Sequence, residues 1–422
     1  MNQSNTVLHG DLSGERRSSV LDNWLLQRVF KGIGPAPIRM VLHETEAMPP
    51  SGVKPVATLW IRDRRTLLEL ALDPEVGFGE AYSAGRIELD GDLVQALDVV
   101  YQAMLDAHID FNWYQRLKSK WMGWIQANTL NGSRHNIHRH YDLGNDFYKL
   151  WLDRELAYTC AYFPSPSATL EEAQLAKMDY ICRKLRLQPG ETVVEAGCGW
   201  GALALHMARH YGVGVKAFNI SREQIRYATQ RAAESGLSGQ VEFIEDDYRN
   251  IRGKFDVFVS VGMLEHVGAA NYAEFGNVIH RAVGDSGRGL LHFIGRTQKG
   301  DFSRWIRKRI FPGAYAPTLR EVMDVLEPQN YSVLDIENLR LHYGKTLEHW
   351  LCRFEKAHDQ VVAGYDSWFE RAWRLYLAGS IAGFRTGYLQ LFQITFAGCK
   401  CAPVSWTRAP LYAQETAAHE LL

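Results

Sequence analysis

The 422-residue chain has little that would mark it as a membrane-spanning, secreted or nucleic-acid-binding protein. Its most apolar long stretch, Leu375 to Gly398, is interrupted by Arg385 and does not read as a spanning helix. The first twenty residues are polar and lack the apolar core of a secretory leader, so none is expected. Six cysteines show no paired framework, which excludes a disulfide scaffold and fits a reducing cytoplasm. Cys399-Lys400-Cys401 offers a metal or redox pair, but with no second pair at finger-like spacing incidental thiols are the expected reading. Forty-seven basic residues balance 48 acidic ones, and a net charge of −1 offers no bulk attraction for nucleic acid. There is no internal repeat and no low-complexity segment. What remains is a chain 46% hydrophobic, ample for packed cores, and long enough for two to three domains.

The organisation reads as follows. Residues 1–20 are expected to be a mobile tail. Residues 21–112 read as a small α+β domain, with strand-like runs at Val56 to Ile61 and Thr66 to Leu72. It carries no evident catalytic chemistry and suits an accessory, lipid-binding or dimerisation role. Residues 113–165 read as a helical linker and a lid over a cofactor. Here Trp113, Tyr114, Trp121 and Trp124 interleave with Arg116, Lys118 and Lys120. That pattern suits a helix lying on an anionic membrane, and equally an interdomain helix with buried aromatics. His135, His138 and His140 follow with no carboxylate or cysteine to complete a metal site, so no metal is expected.

Residues 166–422 read as an α/β domain organised around one stretch. Thr192-Val193-Val194 is a buried strand that runs through Glu195-Ala196-Gly197-Cys198-Gly199-Trp200-Gly201 into a helix from Ala202 to Tyr211. The glycines allow a tight turn with exposed backbone amides. An acid at the strand's end suits an amino-bearing, cationic ligand, as in the first motif of class I S-adenosylmethionine (SAM) methyltransferases. The same letters also satisfy a dinucleotide fingerprint. A helix is predicted over Leu170 to Leu185, and further strands at Val213 to Phe218, Val241 to Glu245, Phe255 to Val261, Gly289 to Ile294 and Tyr388 to Phe396. The second strand ends in Asn219 rather than the ribose-binding acid of a dinucleotide enzyme, with Gln224 one turn into a helix capped by Ser221. The third strand ends near Asp247 and Tyr248, an acid and an aromatic that suit an adenine. Residues 345–387 read as helical.

Six ordered motifs then carry a specific resemblance. They are His140 to Asp146 (HYDLGND), Tyr158-Thr159-Cys160-Ala161-Tyr162, the turn from Glu195 to Gly201, Ser260 to Gly268 (SVGMLEHVG), Leu291-His292-Phe293-Ile294-Gly295, and Ile310-Phe311-Pro312-Gly313. Together they resemble the cyclopropane fatty acyl phospholipid synthases and the related mycolic acid enzymes, strongly over about 130 to 400. The resemblance implies a class I SAM-dependent methyltransferase fold, Rossmann-like with a seven-stranded sheet. It implies transfer of a methylene group from SAM to the double bond of an unsaturated acyl chain in a membrane phospholipid. An alkene is a weak nucleophile, so the methyl must be held in line with it. The carbocation that follows must be kept from water, and the chain's 12 Trp, 19 Tyr and 18 Phe suit such a pocket.

The resemblance further implies that bound bicarbonate is the base, held by Cys160, Glu265, His292, Tyr343 and the backbone amide of Ile294. It implies SAM contacts at Tyr158, Thr159, Gly197, Gly199, Asn219, Gln224, Asp247 and Tyr248, with Glu195 and Gly201 completing the turn. Where relatives often carry a cysteine in the helix before the last strand, this chain has Ser380. A second basic stretch (Arg296, Lys299, Arg304, Arg307, Lys308 and Arg309) interleaves with Trp305, Ile306, Ile310 and Phe311 and reads as a headgroup-binding surface. The expected setting is cytoplasmic, peripheral at the inner membrane face, with the bilayer as partner and a homodimer through the N-terminal domain. A related lipid C-methyltransferase leaving a methyl or methylene branch is the alternative activity.

Overall fold

The computed structural model describes residues 19–49, 52–106, 143–300, 302–401 and 406–412. The tryptophan-rich stretch from Trp113 and the three histidines at 135–140 lie outside the described residues. The chain divides into two compact units, Met1–Ala107 and His108–Leu422.

The first unit opens with helix α1 (Val20–Gly32), whose Ser19 N-cap and Asp22 form a capping box. Strands β1 (Ile38–Leu42), β2 (Thr45–Ala47) and β3 (Ala57–Ile61), helices α2 (Arg64–Leu72) and α3 (Pro74–Ser83), strand β4 (Ile87–Asp90) and helix α4 (Leu93–Asp106) follow. The strands form one sheet in the order β2-β1-β3-β4. The strand predicted at Thr66 to Leu72 is therefore a helix. Asp63 caps it, its side chain accepting from Thr66 N at 2.7 Å, and Leu67 and Leu70 bury one stripe three residues apart. A short apolar run carries too little periodicity to separate strand from helix, and here the cap decided.

The second unit holds helices α5 (Asn145–Lys149) and α6 (Leu170–Leu185), then β5 (Thr192–Ala196), α7 (Ala202–Tyr211), β6 (Gly214–Asn219), α8 (Arg222–Glu234), β7 (Val241–Glu245), β8 (Val257–Val261), α9 (Leu264–Val267), α10 (Tyr272–Val283) and β9 (Arg288–Gly295). It closes with α11 (Arg304–Arg309), α12 (Leu319–Leu326), β10 (Ser332–Asn338), α13 (Arg340–Lys356), α14 (His358–Gly364), α15 (Ser367–Thr386), β11 (Gln390–Ala397) and α16 (Ala409–Tyr412). The seven-stranded sheet runs β10-β11-β9-β8-β5-β6-β7. β11 is antiparallel to both its neighbours, and the remaining pairs are parallel. One face packs Met178, Ile181, Leu203, Met207 and Ile225, and the other packs Phe258, Phe275, Ile279, Val325 and Phe396.

The predicted helix over 170–185 is present, held at its start by a Thr169–Glu172 capping box. Ser221 caps α8 as expected, accepting from Gln224 N. The seventh strand, β10, was not anticipated from the local sequence. Its alternation is inverted: Leu334 and Ile336 face outward while Asp335 and Glu337 point inward to Lys184. An apolar/polar pattern cannot reveal a strand whose inner face is charged. No helix among the described residues is long and apolar enough to cross a membrane.

Candidate active site

Order reverses in this sheet between β5 and β8, and the crevice at the strands' C-terminal ends there is where α/β sheets bind ligands. The turn after β5 forms its floor. Gly199 is in the left-handed region (φ +52°), and a Cβ placed on it would meet open space. Gly201 (φ +83°) is at a close approach, where a Cβ would lie 2.5 Å from the Phe243 ring. Gly197 N donates to Phe218 O at 2.9 Å, tying the turn to β6.

Glu195, at the end of β5, is buried. Its carboxylate lies near the Ala204 amide at the start of α7, and its Oε2 has no partner. Burial pushes its carboxyl up to about 8, against the opposing pull of the Lys177 ammonium. A buried acid with an open oxygen fits the ammonium group of a SAM molecule lying on the turn. Lys177 went unrecognised in the sequence. It is buried on α6 and donates to Thr159 Oγ1 at 2.9 Å. On the same face Gln174 Nε2 donates to the carbonyls of Ala157 and Thr159. The available signal was a lysine inside the stripe Ala173, Met178, Ile181, where an apolar residue belongs.

Those contacts bring the segment bearing Tyr158, Thr159 and Cys160 onto the crevice. Thr159 lies against Gly262, just past β8. Tyr158 sits among Tyr148, Trp151 and Trp350, and its hydroxyl is 2.9 Å from that of Tyr376. Trp200 of the glycine turn packs at a tilt on Tyr148 and donates to Asn145 Oδ1 at 2.7 Å. At the far side of the crevice the two amides read as ribose contacts bond each other, Asn219 Nδ2 to Gln224 Oε1 at 2.7 Å. Asp247 is buried and paired with Arg249 at 3.0 Å, and it caps the short turn that follows. Tyr248 packs edge-on to Phe275 with Arg249 over its ring.

A second polar centre lies where β8 and β9 end. Glu265 is buried on α9, a single turn after β8. Its Oε1 accepts from Ile294 N at 2.6 Å, so in this structure the Ile294 amide serves the carboxylate. Its Oε2 is buried with no partner. Burial pushes the carboxyl up to about 7, and the Ile294 amide pulls the other way. His292 lies two residues before Ile294 on β9, about 7 Å along the strand. It is buried, its Nδ1 is 3.0 Å from Gln393 Nε2, and its Nε2 has no partner. Burial and the nearby Lys177 and Lys184 ammoniums hold the imidazole neutral. His266, the neighbour of Glu265, is likewise held neutral by burial, down to about 4.

Cys160 is buried, its thiol pushed well above the usual range, and its Sγ lies 3.1 Å from Ala161 O. Helix α13 packs on its segment: Thr346 Oγ1 accepts from Ala161 N, and His342 Nδ1 from Phe163 N, both at 3.0 Å. Tyr343 is on that helix, buried against Phe384 and Trp350. The basic stretch after β9 is less available than its sequence suggests. Arg296 is buried over Tyr388, Lys299 pairs with Glu321, and Arg309 lies over Trp368. Ser380 is half-buried on α15.

A sheet of this order, with an acid and a glycine turn at its switch point, defines a class I SAM-dependent methyltransferase. The family model described as mycolic acid cyclopropane synthetase matches residues 128–394. A probable fatty acid methyltransferase of Pseudomonas putida is 34% identical over 374 residues, 86% of this chain and 93% of that one. The cyclopropane-fatty-acyl-phospholipid synthase of Escherichia coli K12 is 36% identical over 342 residues, 76% of this chain and 83% of that one. Among solved structures, mycolic acid cyclopropane synthase CmaA1, complexed with SAH and CTAB, superposes with a TM-score of 0.60 at 31% identity, covering 62% of this chain and 97% of that one. The chain belongs to the mycolic acid cyclopropane synthetase family and is a SAM-dependent methyltransferase of the cyclopropane synthase type.

Proposed function

We propose that the enzyme transfers a methylene group from SAM to the double bond of unsaturated acyl chains in membrane phospholipids, forming cyclopropane fatty acids. The observation that carries the reading is the second polar centre. It offers two buried atoms without partners, Glu265 Oε2 and His292 Nε2, beside a crevice lined by aromatics. Ring closure needs a proton removed from the newly attached carbon, and a base held between these two groups suits that step.

Bound in the crevice, SAM supplies an electrophilic methyl, and bicarbonate at the Glu265–His292 centre supplies the base. Glu195 holds the ammonium end of the donor, while Thr159 and the turn at Gly197 to Gly201 place the rest. His292 would offer a polar atom to an oxygen of the anion, and Glu265 would accept from its hydroxyl. Cys160 and Tyr343 complete the wall of this centre. Tyr158, Trp350, Trp373 and Tyr376 form an aromatic cluster that excludes water from the chain's cation and stabilises it through their ring faces. The enzyme acts at the cytoplasmic face of the inner membrane as a peripheral protein, with α11 and its arginines touching the headgroups. The Pseudomonas relative's name favours one second reading, a lipid methyltransferase whose product keeps a methyl or methylene branch.

The test is direct. Full-length protein is incubated with SAM, bicarbonate and liposomes of monounsaturated phospholipid, and the transmethylated esters are analysed by gas chromatography–mass spectrometry. A gain of one CH2 on a chain that resists alkene hydrogenation is the expected product. The same gain on a branched or still unsaturated chain establishes the second reading. No product, with SAM binding intact by calorimetry, overturns the phospholipid assignment.

A further inference from the structure

The hydrogen bonds behind His292 have a direction that charge imposes. Lys184 is buried on α6. Its ammonium donates to Glu337 and, at 2.9 Å, to Gln393 Oε1. Asp335 adds a second carboxylate 3.9 Å away, itself paired with Arg408. Burial pulls the Lys184 amine down, and the two carboxylates pull it back up. Hydrogen-bonded to Glu337 and facing Asp335, it is held as an ammonium, which only donates. The atom of Gln393 that faces Lys184 is therefore its oxygen. The amide NH2 is left to face His292 Nδ1, at 3.0 Å. An amide NH2 only donates, so Nδ1 accepts and the ring proton sits on Nε2. Nε2 is the atom that has no partner.

Three otherwise unrelated oddities share this explanation: a buried lysine on α6, a buried glutamine in the middle of the fully buried strand β11, and an edge strand whose inward positions are carboxylates. We propose that Lys184 and Gln393 are positioning residues that lock His292 as an Nε2–H donor to the anion centre, with Glu337 and Asp335 holding Lys184 in place. The inference rests on the reading of Glu265 and His292 as that centre. It also assigns a division of labour. The lone pair of His292 is spent on Gln393, so the ring holds the anion and does not take the substrate's proton.

The test uses full-length protein labelled with [15N]histidine and long-range 1H–15N correlation, with the His292 signals among the 15 histidines assigned by their loss in His292→Gln. In the wild type, Nε2 is expected at the protonated and Nδ1 at the unprotonated position. Gln393→Glu keeps the partner for Lys184 but presents only acceptors to the ring, so the proton moves to Nδ1 or both nitrogens carry one. The bicarbonate needed for half-maximal rate then rises, by roughly 10–100-fold if second-sphere partners of ligating histidines are a guide, while the SAM requirement is unchanged. Lys184→Met frees the amide and gives a mixed tautomer. A wild-type spectrum with the proton on Nδ1, or a Gln393→Glu spectrum identical to wild type, overturns the relay. A shifted tautomer with an unchanged bicarbonate requirement leaves the relay standing and removes the anion assignment instead.

Discussion

Two buried glutamates stand at strand ends in the same crevice, and they are prepared differently. Glu195 has the Lys177 ammonium in its field and the amide of Ala204 near its carboxylate. Glu265 has the Ile294 amide on its carboxylate and no ammonium beside it among the groups that shift its carboxyl. Each leaves Oε2 open. The first lies in a contiguous strand-turn-helix unit; the second belongs to a centre assembled from α9, β9 and β11. A carboxylate beside a fixed charge suits static binding of a charged ligand. One held only by an amide, with no fixed charge beside it, suits a group that faces the anion's proton. Burial raises both carboxyls, Glu195 to about 8 and Glu265 to about 7, so the neighbouring charge and not the extent of the shift separates them.

Breaking the second centre has the largest expected effect. Glu265→Gln lowers turnover by about 10²–10⁴-fold while SAM binding survives, read by ester analysis and calorimetry. Wild-type turnover in this variant would end the comparison.

The same residue sharpens it through stability. A carboxyl raised in the folded state contributes stability that is present below its unfolded value of 4.5 and lost as pH rises through about 7. Glu265→Gln removes that cost, so the variant is more stable than wild type at pH 8, by about 3 kcal/mol. The difference closes as pH falls towards 4.5, measured by denaturant midpoints. Wild-type activity moves oppositely, rising with pH through about 7 as Glu265 ionises.

For the first glutamate the expected loss is in binding. Glu195→Gln raises the SAM dissociation constant by about 10–100-fold, the worth of a hydrogen bond to a charged group, with turnover at saturating SAM little changed. Equal losses in both parameters would erase the distinction between the two acids. The smallest effect is expected at the turn. Gly201→Ala forces a Cβ against Phe243 at an unfavourable φ and costs about 2 kcal/mol of stability, read by urea unfolding.

Much of this was legible along the chain because its signals are local. A cap, a glycine turn and a buried run between turns each depend on neighbours within a few residues. That is why α6, α7 and the parallel strands could be placed, and why the six ordered motifs pointed to the family. The strand misread at Thr66 to Leu72 shows the limit: without a full helical period, the apolar run was ambiguous and the Asp63 cap settled it. β10 shows another, since its inward residues Asp335 and Glu337 are chosen by Lys184, which lies 151 and 153 positions earlier.

The sequence by itself determined the sheet's parallel strands, the glycine turn with its acid, and the residue types gathered at strand ends, because hydrophobic period and turn chemistry are short-range. Tertiary structure alone decided which polar atoms are buried without partners, that the Ile294 amide holds Glu265, and that Lys177 and Lys184 serve the crevice from within α6. Burial and hydrogen-bond direction depend on what packs around a group in three dimensions, and that is not written in any one stretch of chain.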